Sequence, residues 1–171
     1  MRNYPVNISM TKHDFYFGNI LGDYINWPPG ENRATADDNE KKIFESRFSE
    51  IFNLAVLLLQ WAYFEPEDGK LNYPVIENFL DWCNKNNITP KGHSLVWLSP
   101  KAGTLTRPGW VPVYDEEKFW PRLEKRITEL VRHFRGRIGI WDVVNEPVAD
   151  PTELLKNRTA LDYTSEALAL A

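Results

Sequence analysis

Residues 139–147 read GIWDVVNEP: an apolar run, Gly139–Val144, that ends on the polar pair Asn145-Glu146 and is cut off by Pro147. Only four to eight residues long and bounded by Gly and Pro, the run predicts a strand buried on both faces, as in a parallel sheet. Three more strands precede it: 14–18 (DFYFG), 54–59 (LAVLLL, followed by Gln60-Trp61) and 91–97 (KGHSLVW). Longer amphipathic patterns separate them. One helix is predicted to start near Asp37 or Asp38, where acidic side chains suit the positive end of the dipole. Its apolar stripe is Phe44, Phe48, Ile51 and Phe52. A second runs from Tyr73 to about Asn86, with Ile76, Phe79, Leu80 and Cys83 at i, i+3, i+4 and i+7. A third covers about Glu116 to Phe134 and is ended by Gly136, and a last one begins at Ser165 (SEALALA).

Strands alternating with helices predict a parallel sheet with right-handed crossovers. It can close in two ways, as an open doubly wound sheet or as part of a (β/α)8 barrel. The open form carries a glycine-rich phosphate turn after its first strand. Here that turn is Gly18-Asn19-Ile20-Leu21-Gly22, without the G-x-G-x-x-G pattern. A full barrel takes about 250 residues and the chain has 171, so residues 1–171 are expected to form the first four βα units, a half-barrel. Unpaired strand edges and open apolar faces would then favour self-association.

Composition narrows the function. Hydrophobic residues at 43% and charged residues at 26% are ordinary globular usage, which speaks against disorder. Twenty basic against 24 acidic residues leave a net charge of −4, without the basic surplus of a nucleic-acid binder. No apolar run reaches the roughly 18 residues of a membrane span, and MRNYPVNISM has no apolar signal core. The single cysteine excludes an intrachain disulfide and a cysteine-rich zinc site, and His13, His93 and His133 share no ligand spacing. Neither a metal nor a cofactor is expected. Seven tryptophans call for large cores or flat, ring-shaped ligands.

In α/β barrels chemistry occurs at the C-terminal ends of the strands. Glu146 lies at such an end, where a half-buried carboxylic acid resists ionisation and can donate a proton; the plainer reading is that Asn145-Glu146 only terminates the strand. His93 lies in the third strand, where alternation can aim it into the barrel mouth, although a lone histidine is more often a satisfied core residue. At the end of the second strand Gln60 can hydrogen-bond sugar hydroxyls. Trp61 and Trp97 can stack on a pyranose face, against the commoner reading of tryptophan as core.

GHSLVW, WDVVNEP, FNLAV…QW…FEPEDGKLNY and the opening TKHDFYFG, in that order and separation, resemble family 10 glycoside hydrolases, the endo-1,4-β-xylanases. The likeness spans essentially the whole chain and the first half of the family's domain. It implies a TIM barrel and a retaining hydrolase of xylan-like β-1,4-linked polysaccharide, commonly secreted. It also implies that Glu146 is the general acid/base, that Asn145 holds the sugar's 2-hydroxyl, and that His93 and Trp97 lie around the cleavage subsite. Two departures point to a divergent branch: Val56–Gln60 stands where the family carries an acid, an amide and a lysine, and Leu98 stands where many members have histidine. The family's nucleophile, a glutamate on the seventh strand, is expected outside this chain, which leaves it inactive alone. The alternative is a non-catalytic carbohydrate-binding or interaction protein that kept the aromatic cleft and lost the chemistry. A related barrel glycosidase family also shares Asn-Glu-Pro, but GHSLVW and TKHDFYFG speak against it.

Overall fold

The computed structural model describes residues 14–21, 37–98, 106–147 and 159–171. The loop read over 26–36, Pro100 and Gly103 of the following loop, the polar loop after Pro147 and the start of the opening motif lie outside them. Four strands, β1 (Gly18–Ile20), β2 (Leu54–Leu58), β3 (Thr89–Val96) and β4 (Ile140–Val144), form one sheet in the order β1-β2-β3-β4. Every pairing is parallel, as the strand–helix alternation predicted. Five helices complete the described chain: α1 (Asp38–Ile51), α2 (Trp61–Phe64), α3 (Tyr73–Lys85), α4 (Glu116–His133) and α5 (Ala160–Leu170).

Local chemistry sets the boundaries. Asp37 caps α1, accepting from the backbone N–H groups of Asn39 and Glu40 while Glu40 reaches back to the Asp37 N–H, a reciprocal capping box. The first strand starts at Gly18 rather than Asp14. Ahead of it, the Asn53 side chain accepts from the Phe17 N–H at 2.7 Å and donates to the Phe15 carbonyl at 3.1 Å. Strand pairing begins only where Gly18 meets Leu54. The third strand starts two residues early because the Thr89 N–H is already bonded to the Asn53 carbonyl. The last helix starts at Ala160, not Ser165: Thr159 and Asp162 form a second capping box that fixes its N-terminus. Gly136, at φ +79°, stands in the left-handed region just past α4, where glycine carries no Cβ penalty.

Paired residues of parallel strands share a face, which sorts the sheet into two sides. Ala55, Leu57, Gly92, Trp141 and Val143 fall on one side in this alternation, and α3 packs on β2 and β3, α4 on β3, and α5 on β4. On the other side Ile20, Val56, Lys91 and Ile140 stand in one row, and Leu58, His93 and Asp142 in the next. β2 is buried on both faces except for half-buried Val56, as its uniform apolar run predicted. Phe15, Tyr16, Phe17 and Ile20 are exposed beside β1. Cys83 is buried, and burial pushes its thiol up to about 12, so it is an inert core residue.

Candidate active site at the carboxyl ends of the strands

The ends of β2, β3 and β4 are tied together by backbone bonds beyond the regular ladder. The Leu59 N–H donates to the His93 carbonyl at 2.7 Å, and the Asn145 N–H donates to the Val96 carbonyl at 2.8 Å. Those two bonds place Gln60, Trp97 and Glu146, each one or two residues further on, at one end of the sheet. Trp97 then closes the gap: its indole Nε1–H donates to Glu146 Oε2 at 3.1 Å. Glu146 itself adopts φ +50°. A glutamate in the left-handed region is uncommon, and such conformations concentrate at functional sites. Glu146 is exposed rather than half-buried, so the desolvation expected at a proton donor is not supplied by the described residues.

His93 is engaged from behind. Its Nδ1 lies 2.9 Å from Asp142 Oδ2, and the same oxygen lies 2.9 Å from Lys91 Nζ. Lys91 and His93 are two apart on β3, hence on one face, and His93 is directly in register with Asp142. Burial pushes the Asp142 carboxyl up, but the hydrogen bonds and charge of Lys91 and His93 outweigh it and hold the group below the usual carboxylate range. An ionised carboxylate only accepts, so Nδ1 carries the proton and Nε2 is left as the atom available to a ligand.

Gln60 caps α2 through its carbonyl, which accepts from the N–H groups of Tyr63 and Phe64, while its half-buried side chain makes no cap bond. Trp61 is the residue the structure moves away from the expected place. Its ring is 2% exposed, stands edge-on to Trp110 with centroids 6.0 Å apart, and its Nε1–H donates to Glu65 Oε2 at 2.9 Å. A sugar has no face of it to stack on, because the single turn of α2 rotates the indole into the core. The structure therefore brings together Trp97, Glu146 and the Asn145 backbone, sets His93 and Gln60 on the adjoining strand ends, and withdraws Trp61.

Lys91 is a member of the site that the sequence reading missed. Its signal was present as K-x-H on one strand face, but its partner Asp142 is remote in sequence and becomes visible only through the β3–β4 register.

The profile of Glycosyl hydrolase family 10 matches residues 10–169. Endo-1,4-beta-xylanase B of Thermotoga neapolitana is 33% identical over 132 residues, which are 76% of this chain and 36% of that protein. Endo-beta-1,4-xylanase Xyn10C of Cellvibrio japonicus is 26% identical over 150 residues, covering 86% of this chain and 22% of the relative. The chain thus spans about a third or less of the length of these relatives. Among solved structures, a glycosylated endo-beta-1,4-xylanase from Gloeophyllum trabeum superimposes with a TM-score of 0.68 at 25% identity, covering 91% of this chain and 47% of that one. Xylanase 10B from Thermotoga petrophila in complex with xylobiose gives 0.67 at 22%, over 91% and 44%. Both place the four-stranded sheet as part of a TIM barrel.

Proposed function

The chain belongs to glycosyl hydrolase family 10, and from that premise we propose that it carries the proton-donor half of a retaining glycoside hydrolase acting on a xylan-like β-1,4-linked polysaccharide. The observation that carries the reading is the Trp97–Glu146 hydrogen bond at the carboxyl ends of β3 and β4, with Glu146 held at positive φ. In this scheme Glu146 protonates the leaving glycosidic oxygen and then, as its conjugate base, activates the water that releases the sugar. Asn145 and the Nε2 of His93 bond the sugar's hydroxyls, Gln60 contributes a further polar contact at the neighbouring strand end, and Trp97 offers the apolar wall.

A retaining reaction needs a second carboxylate about 5–5.5 Å from the first. The two described carboxylates nearest in strand position are both engaged. Asp142 is bound by Lys91 and His93, and four residues at about 3.3 Å each put it roughly 13 Å from Glu146 along the strand. Glu65 is 9% exposed and uses one oxygen for the Trp61 indole and the other for the Gly69 N–H. We therefore assign the nucleophile to neither of them; the family resemblance puts it on a seventh strand, and on that ground we propose that the 171-residue chain is inactive on its own.

Two measurements test the reading. Titration of the chain with xylohexaose is expected to shift the Trp97 indole N–H resonance saturably and to lose that response in Trp97→Phe; no shift at saturating sugar refutes the substrate class. Reducing-sugar release from xylan is expected to equal that of Glu146→Gln. Turnover that the substitution abolishes would overturn the assignment of the nucleophile.

A further inference from the structure

Arg126 is the one charged side chain of α4 that points away from solvent. It is 3% exposed, although it sits in the polar stretch EKRITEL. Its guanidinium crosses the helix–sheet interface to two backbone carbonyls: Nε donates to Leu95 at 2.9 Å and Nη2 donates to Leu59. The group lies over the ring of Trp61 at 5.2 Å and over Phe64 at 5.8 Å, and Nη1 has no hydrogen-bond partner among the described residues. Burial pulls this guanidinium down to about 9, with Glu65 and Tyr73 opposing, so it stays charged at neutral pH.

Burying a full charge is costly, and an apolar side chain would fill the same helix–sheet gap at lower cost. What an apolar side chain lacks is donors. Leu59 and Leu95 stand where β2 and β3 stop pairing regularly. The paired residues of β2 and β3 end at Leu58 and His93, so Leu59 and Leu95 both lie beyond them. An orphaned buried carbonyl is rare in folded proteins. The planar fork of an arginine can reach two such carbonyls on different strands at once, whereas a lysine ammonium acts as a point donor. The two carbonyls lie one residue before Gln60 and two residues before Trp97.

We propose that Arg126 is a positioning residue for the candidate active site: by clamping the Leu59 and Leu95 carbonyls near the ends of β2 and β3 it sets where Gln60 and Trp97 leave the sheet, and through Trp97 it sets the position of Glu146. It touches no ligand. The inference rests on Trp97 and Glu146 being the working pair of the cleft, but its test reads their hydrogen bond rather than any activity, so the two can fail separately.

The test is the indole region of the 15N-correlated NMR spectrum of the 171-residue chain, where seven tryptophans give at most seven resolvable N–H signals. Trp97→Phe assigns the Trp97 signal, and Glu146→Gln shows where it moves when the charged acceptor is lost. Trp82, on α3, reports the fold away from the clamp. Arg126→Lys is expected to move the Trp97 signal part of the way to its Glu146→Gln position, and Arg126→Gln further, with the Trp82 signal and the thermal transition cooperative in both. Hydrogen exchange at the Trp97 indole is expected to quicken by about tenfold or more in Arg126→Gln, the change read as that fold-difference in rate. Folded variants whose Trp97 signal and exchange match the unsubstituted chain overturn the proposal. Loss of the cooperative fold in both variants also overturns it, because Arg126 would then hold the whole helix–sheet interface rather than the strand ends.

Discussion

Gly92 lies between Lys91 and His93, the two residues that grip Asp142, and directly opposite Trp141 on β4. A Cβ built at Gly92 would sit 2.4 Å from both Cε3 and Cζ3 of Trp141 and 3.2 Å from Cδ2. Carbon atoms in contact prefer about 3.5–4.0 Å, so Gly92→Ala forces an overlap of more than about 1 Å on a rigid ring. The ring cannot simply lean away, since Phe134, the C-cap of α4, packs on it with centroids 6.4 Å apart. Over-packing of this kind costs about 1–3 kcal/mol. For a chain of this size each kcal/mol lowers Tm by about 2–4 °C, so the melting temperature is expected to fall by roughly 2–12 °C. Gly109→Ala is the matched control: nothing lies within 4 Å of a Cβ there, and its effect is expected within about 0.5 kcal/mol. Chemical denaturation of the three proteins decides it. Because Trp141 adjoins Asp142, the His93 imidazole 15N shifts are expected to change in Gly92→Ala and not in Gly109→Ala. Equal stability of the two variants refutes the argument that Gly92 is required by the approach of β4.

The two tryptophans considered for sugar stacking are expected to separate. Trp61→Ala removes a buried ring and costs about 3–5 kcal/mol in a melt, whereas half-buried Trp97→Ala leaves the fold and loses the fluorescence response to xylohexaose; the reverse pattern would return Trp61 to the cleft. Asp142 is held below the usual carboxylate value of 3.8 by Lys91 and His93 against the opposing effect of burial. Its contribution is therefore present above about pH 4 and lost as pH falls through the depressed folded value. Tm measured from pH 2 to 7 is expected to fall less steeply on the acid side in Asp142→Asn, and parallel curves would show the ion pair to be without consequence.

How far the sequence alone carried depended on whether a feature was local. The run 54–59 announced a doubly buried strand because both faces of β2 are covered but for half-buried Val56, and the stripe Ile76, Phe79, Leu80 and Cys83 announced α3 because all four side chains are buried. The single turn of α2 is too short to show any periodicity, and missing it put Trp61 in the cleft instead of the core. The apolar SEALALA drew attention past Thr159 and Asp162, whose capping box sets the true start of α5. That Glu146, Asn145, His93 and Trp97 stand at or near strand ends was legible. What tied them together was not: the Trp97–Glu146 and His93–Asp142 bonds both span 49 residues, and their partners become evident only once β3 and β4 are in register. Arg126 was hidden for the opposite reason, since a lone arginine among Glu124, Lys125 and Glu129 reads as a solvated face.

β3 is the strand on which the site turns. Its His93 carbonyl receives the Leu59 N–H from the β2 side, and its Val96 carbonyl receives the Asn145 N–H from the β4 side. The residue that follows the second of these acceptors, Trp97, bonds Glu146, and the side chain at the first, His93, bonds Asp142. A shift of β3 along its own axis therefore displaces Gln60 and Glu146 together, whereas a change confined to β1 reaches neither through these bonds. Residues joined through one network couple, while remote ones add. Substitutions at Gly92 and Glu146 are accordingly bound to act non-additively on the geometry of the cleft. Changes at the exposed Phe15 or Tyr16 beside β1 leave that geometry alone even where they alter how the sheet edge meets its surroundings.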